Sequence, residues 1–219
     1  MSFITRVRLM SGIVGYGLLV VSLGCSTTGQ QQAASAATSL EETRTEIAGV
    51  SNALDKAVAS LTDLAEKPQS DLRPQYDAYK ASVQELDAQA KKVAASASEM
   101  RARGEEYFKS WEGKLTDINN PELRQISADR RAKLSSHYQK VTDGYQKAKE
   151  AFLPLFTQLN DVKRVLGLDL TDNGIKMASS SANEAKKSAA IVKKELNGVS
   201  AELDELAKTL GGGAASASK

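Results

Sequence analysis

Residues 76–111 read YDAYKASVQELDAQAKKVAASASEMRARGEEYFKSW, and two rows of residues seven apart run through them. One row is Tyr76, Val83, Ala90, Ala97, Gly104 and Trp111; its partner row is Tyr79, Leu86, Val93, Met100 and Tyr107. The flanking places hold Ser82, Gln89, Ser96 and Arg103, so the apolar seam is only two positions wide in every seven. A seam that narrow is the pattern of helices packed in coiled-coil fashion; a helix of a globular core shows a wider apolar stripe.

The same period recurs on either side. Leu40, Ile47, Leu54 and Leu61 form a first repeat, with Val50, Ala57 and Leu64 beside it. A third pairs Tyr138, Tyr145, Phe152, Leu159 and Leu166 with Leu134, Val141, Ala148, Leu155 and Val162, while Leu123 and Ile126 stand out of that frame and imply a local change of supercoil. A fourth joins Ile175, Ala182, Ala189, Leu196, Leu203 and Leu210 to Ala178, Ala185, Val192, Val199 and Leu206. These repeats predict an all-α fold, an elongated antiparallel bundle or coiled coil of about four long helices. A pair of helical hairpins that complete their cores by dimerising fits the same pattern.

Boundary signals agree with the frames. Pro68 and Pro74 bracket a turn, with Ser70 or Asp71 placed to cap the second helix. Asn120-Pro121-Glu122 is a start signal, since proline at the first helical place forfeits no helical hydrogen bond. Asp172 is placed to cap the fourth helix. The middle helices, about 72–118 and 121–166, are expected to run ~70 Å each, with the outer two shorter and a kink at Pro154.

The N-terminus has a different character. Arg6 and Arg8 precede an apolar run over residues 9–23, and Val21-Ser22-Leu23-Gly24-Cys25 places the only cysteine directly behind it. A basic start, a short apolar segment and a small residue at the cut form a secretory signal. At about 1.5 Å per residue the run reaches only ~22 Å, short of a ~30 Å hydrocarbon core, and Gly12, Gly15 and Gly17 weaken it as a membrane span. The arrangement resembles a bacterial lipoprotein signal, with Ser22 in place of the commoner Leu. That resemblance implies lipidation, palmitate included, at Cys25. Ser26, where Asp would divert the protein, resembles the outer-membrane address and implies a periplasm-facing anchor in the bacterial cell envelope.

The division expected is therefore a signal peptide at 1–24, a lipidated Cys25 with a flexible tether over 25–38, a helical bundle at 39–210 and a disordered tail at 211–219. The tether reading rests on STTGQQQAASAAT at 26–38, which lacks charge and large apolar residues, and the tail reading on Gly211-Gly212-Gly213 and the small residues behind it. Removing residues 1–24 takes Arg6 and Arg8 and no acid, leaving 27 basic against 27 acidic side chains. A neutral body disfavours nucleic acid as a partner. With Cys25 alone, no disulfide framework exists.

His137 is the only histidine, so no multi-histidine metal site is available, and no cofactor is expected. It lies beside Ser135 and Ser136 with Asp143 downstream, yet adjacent helical residues point in different directions and no strand-turn-helix elbow supports a hydrolase triad. Glu105, Glu106, Glu202, Asp204 and Glu205 fall on exposed heptad places. Lys186-Lys187 and Lys193-Lys194, seven apart, form one stripe facing either solvent or anionic lipid and cell wall; Tyr107, Phe108 and Trp111 fill the end of a hairpin or stack on a ligand.

YFKSWEGKLTDINNPELRQISADRRAKLSSHYQKV at 107–141, with AFLPLFTQLNDVKRVLGLDL at 151–170, resembles a bacterial family of unknown function made of helices behind a lipoprotein-type signal. Trp111, the Asn120-Pro121-Glu122-Leu123-Arg124 turn, Pro154 and Asp161 carry the resemblance, and the family's Lys-His-Asn-Leu-Asn run is replaced by Lys163 and Arg164-Val165-Leu166-Gly167-Leu168. It implies the same helical, lipid-anchored picture and no activity. The resulting expectation is a non-enzymatic structural or adaptor protein, partnered by the membrane through Cys25 and by an envelope protein, the cell wall or further copies of itself. The alternative is a membrane-stress or lipid-handling protein whose helices bind bilayer or a hydrophobic client.

Overall fold

The heptad rows become buried rows in the computed structural model, which describes residues 29–215. Four helices form in chain order: α1 Gly29–Glu66, α2 Arg73–Leu115, α3 Pro121–Leu168 and α4 Asp172–Ala215. Each helix packs on its two neighbours around a ring, α1 on α2, α2 on α3, α3 on α4 and α4 back on α1. Short turns make successive helices antiparallel, so the bundle runs up, down, up, down. Among the described residues there is no strand.

Burial follows the sequence rows closely. Leu54, Leu61, Leu64, Tyr79, Val83, Leu86, Leu134, Val141, Leu159 and Leu166 are fully enclosed, and the core runs unbroken from end to end. A continuous seam of this kind, rather than intrinsic helix propensity, supplies most of the stability of such helices. α3, with 48 residues, spans ~72 Å.

The turns are closed by named side chains. Asn120 Oδ1 accepts from the amides of Glu122 and Leu123, with Pro121 in the first helical place, as its sequence signal implies. Asn120→Ala is therefore expected to cost about 1 kcal/mol, read as a fall of roughly 2–4 °C in the thermal midpoint. Asp71 Oδ1 accepts from the Arg73 amide at 3.0 Å, although the residue that caps α2 by backbone geometry is Leu72. Between α1 and α2, Gln75 is buried and ties the turn: its Nε2 donates to Asp63 Oδ2 at 2.7 Å and to the Lys67 carbonyl at 3.0 Å, while its Oε1 accepts from the Gln69 amide.

Several expectations are corrected. The tether does not extend to residue 38, because α1 begins at Gly29. Ala33, Ala34, Ala36 and Ala37 are the strongest helix formers, and although they offer little apolar surface, Ala36 buries itself beside Tyr107, Phe108 and Leu206. The tail expected from 211 is helical as far as Ala215, so the outer helices are nearly as long as the middle ones. Asp172 lies inside α4; the Thr171 Oγ1 accepts from the Gly174 amide in its place. Apart from these corrections, α3 is helical on both sides of Pro154, with Leu155 and Leu159 buried in their seam. Pro154 is on the exposed side, where a carbonyl deprived of its amide partner can turn to water.

Candidate functional site

The segment expected to be a signal and Cys25 lie outside the described residues, but the fold decides which end of the rod they join. The α1–α2 and α3–α4 turns share one end. The start of α1, the α2–α3 turn and the end of α4 share the other, so Cys25 is connected at the α2–α3 end.

His137 sits on α3 at the α4 interface, with Nδ1 3.5 Å from Glu202 Oε2 and without a hydrogen bond. Asp143 is engaged elsewhere, accepting from Gln139 Nε2 at 2.8 Å, so Ser135, Ser136, His137 and Asp143 do not come together as a triad. Among the described residues no three His, Cys, Asp or Glu side chains converge on a metal-sized site, and no helix is long and apolar enough to cross a membrane.

The lysine stripe on α4 is divided. Lys186 Nζ pairs with Glu66 and Lys193 Nζ with Asp55, both at 2.6 Å across the α1–α4 seam, while Lys187 and Lys194 stay exposed. Arg44 adds a third link to Asp204 at 2.9 Å. Half the stripe is thus committed to holding α4 on α1. Of the acidic residues expected on exposed places, Glu105, Glu106 and Glu205 are exposed, whereas Glu202 and Asp204 are half-buried, Glu202 against His137 of α3 and Asp204 paired with Arg44 of α1.

The seam between α2 and α3 is built differently, and its contact is the smallest of the four neighbouring pairs. On α2 the facing row holds small residues, Ala90, Ala94, Ala97 and Gly104; on α3 it holds Tyr138, Tyr145 and Phe152, all half-buried. Gly104 lets the Tyr138 ring lie against the α2 backbone, where an added Cβ would fall 2.6 Å from Cζ. Phenol-to-carbonyl bonds pin the seam at both ends. Tyr79 Oη donates to the Leu159 carbonyl at 2.6 Å and Tyr76 to that of Lys163 at 3.1 Å; at the far end Tyr138 donates to Arg101 at 3.0 Å. Burial pushes the Tyr138 phenol up to about 12, the nearby Glu105 adding to the effect and Arg101 opposing it.

Between these pins the helices leave an apolar cleft of about 240 Å³. Val93, Ala148, Val192 and Leu196 line it deeply, Phe152 and Phe156 stack with ring centroids 5.4 Å apart at its wall, and Lys91 and Lys149 lie at its edge. The pattern was present in the sequence as a row of small residues on one helix and a row of aromatics on the next. Period alone does not say which rows face each other.

Tyr107, Phe108 and Trp111 pack as a chain of aromatic contacts with Tyr138, ring centroids 5.5 Å apart, and Trp111 Nε1 donates to Ser127 Oγ at 2.9 Å. They join α2 to α3 near the turn, in agreement with the hairpin-end reading.

No curated protein and no solved structure matches this chain. A family profile covers residues 26–210, which takes in all of the bundle's packed seams, and the chain belongs to the family described as protein of unknown function (DUF2959).

Proposed function

We propose that this protein is a non-enzymatic, lipid-anchored helical rod, serving as a structural or adaptor component of the bacterial cell envelope and held by acyl chains on Cys25 in the outer membrane, facing the periplasm. The observation that carries the reading is Leu23-Gly24-Cys25 at the end of a basic-then-apolar leader, only four residues ahead of the helix that opens at Gly29. One acyl chain anchors marginally, whereas a cysteine bearing a diacylglyceryl group and an amide-linked chain holds stably. With the helix starting at Gly29, a rod of ~70 Å would stand close to the lipid surface instead of floating on a long leash. Cys25→Ser is expected to move the protein out of the membrane fraction or leave the leader uncut. Unchanged fractionation and unchanged mass would defeat the anchor.

The α2–α3 cleft favours a second reading, a lipid-handling protein. Its apolar lining suits an acyl chain, and Lys149 would face the carboxylate, Lys91 being paired with Asp87 at the same edge. A fluorescent fatty acid displaced from the purified chain by Ala94→Trp, which fills the cleft, would support this reading; binding unaffected by that substitution would remove it.

A further inference from the structure

The α2–α3 turn projects beyond the start of α1. Arg103 on α2 bonds Ser35 on α1, which sets their register, so Gly29 lies opposite residue 109 of α2. Trp111 bonds Ser127, which sets the register of α3. Counting at 1.5 Å per residue, Leu123 stands roughly 9 Å past the start of α1 and Ile126 about half as far. The four residues from Cys25 to Gly29 span at most ~14 Å when extended. A plane holding the acyl chains of Cys25 therefore lies within reach of the hairpin tip.

The tip's surface suits that plane. Leu123 is 57% and Ile126 59% exposed, although both are large aliphatics at the start of a helix with otherwise polar outer positions. These are the two residues that fall outside the heptad frame of α3, so the bundle seam does not account for them. Leu115 and Ile118, half-buried beside them, extend the apolar end. Residues 109–133 carry six basic side chains against four acidic ones; Lys109, Lys114, Arg130 and Lys133 are exposed, as are Glu112, Asp117, Glu122 and Asp129. An exposed aliphatic pair at the end of the rod nearest Cys25, with a small basic excess over the flanking turns, suits an interfacial contact with a bilayer.

We propose that the α2–α3 tip is a second membrane contact, in which Leu123 and Ile126 enter the interface of the anionic bilayer that holds Cys25; this rests on the lipid-anchor reading. Two contacts on one plane fix the rod's tilt and bring the aromatic cluster at Trp111 close to the headgroups. The tip is a weak site made effective by the anchor, because tethering turns its binding into an intramolecular step.

The test uses the acylated full-length protein in vesicles of phosphatidylethanolamine and phosphatidylglycerol at 3:1, with lipid brominated on the acyl chains. The reporter is Leu123→Trp in a Trp111→Phe background, and the control is Leu168→Trp, at the opposite end of the rod and 91% exposed. Expected are a blue-shifted emission and at least a twofold loss of intensity on bromination for Trp at 123, with no change at 168. A vesicle-bound protein whose two reporters behave alike overturns the tip contact and leaves the anchor standing. If Cys25→Ser does not alter membrane association, the anchor reading fails instead. The Cys25→Ser protein bearing the Leu123 reporter, added to excess vesicles, then decides the tip alone: quenching at 123 upholds it and none overturns it.

Discussion

Tyr79→Ala is expected to lower the stability of the bundle by about 4 kcal/mol and its thermal midpoint by roughly 8–16 °C. Tyr79 is completely enclosed, on α2, and its hydroxyl crosses to the Leu159 carbonyl on α3 at 2.6 Å. Truncation to alanine removes a whole ring from a close-packed core that can collapse over the space only in part. Tyr79→Phe separates the two contributions. It keeps the ring and loses one hydrogen bond, so it should cost only about 1 kcal/mol. A Phe variant as weak as the Ala variant would show that the phenol bond, and not packing, holds the seam.

The same residue gives the protein an alkaline limit. Burial, with a smaller contribution from Tyr76, raises the Tyr79 phenol well above its ordinary range, and Tyr138 is raised to about 12. In the unfolded chain both ionise near pH 10. Below that pH both states hold the proton and stability is unaffected; above it the unfolded state gives up protons that the folded state retains, so stability falls as pH rises from about 10 toward 12. Thermal unfolding at pH 9 and pH 11 checks this, and Tyr79→Phe should flatten part of the decline.

Gly174→Ala is expected to be nearly as costly, about 3 kcal/mol, or roughly 6–12 °C. Gly174 is buried in the first turn of α4, and a Cβ there would drive into the backbone carbonyl oxygen of Asp169 at the end of α3. Backbone cannot rotate aside as a side chain can. The substitution must therefore open the α3–α4 turn and pull Ile175, which is buried just beyond it, out of register. Gly113→Ala is the matched control: nothing lies within 4 Å of the added carbon, so it should be neutral or slightly stabilising by helix propensity. Equal effects from the two would refute the steric account.

The seven-residue rows were enough to specify four helices and nearly every buried apolar position, though not the buried Ser39, Thr43, Gln75 and Ser82, because a two-in-seven seam leaves few ways to hide its apolar side. Boundaries were legible where chemistry marked them, as at Asn120 and Pro121. They were missed where alanine alone decided, as over residues 29–38, since alanine favours helix without announcing a face. The Thr171 cap was hidden behind Asp172, an equally good capping residue one place along. The cleft and the projecting tip were not legible at all. Both depend on which row meets which and on how far each helix runs past its neighbour, and these are set by register between helices rather than by the order of residues within one. Leu123 and Ile126 had only the negative mark of breaking the frame.

The four seams of the bundle are not equivalent, and the difference gives the molecule a binding edge and an opening edge, like a book. Its spine is α1 against α4, laced by Lys186–Glu66, Lys193–Asp55 and Arg44–Asp204. Its fore-edge is α2 against α3, clasped by tyrosines near top and bottom and slack at mid-height, where small residues oppose rings. Thermal strain or an inserted guest should therefore part the pages at mid-height before it loosens the spine.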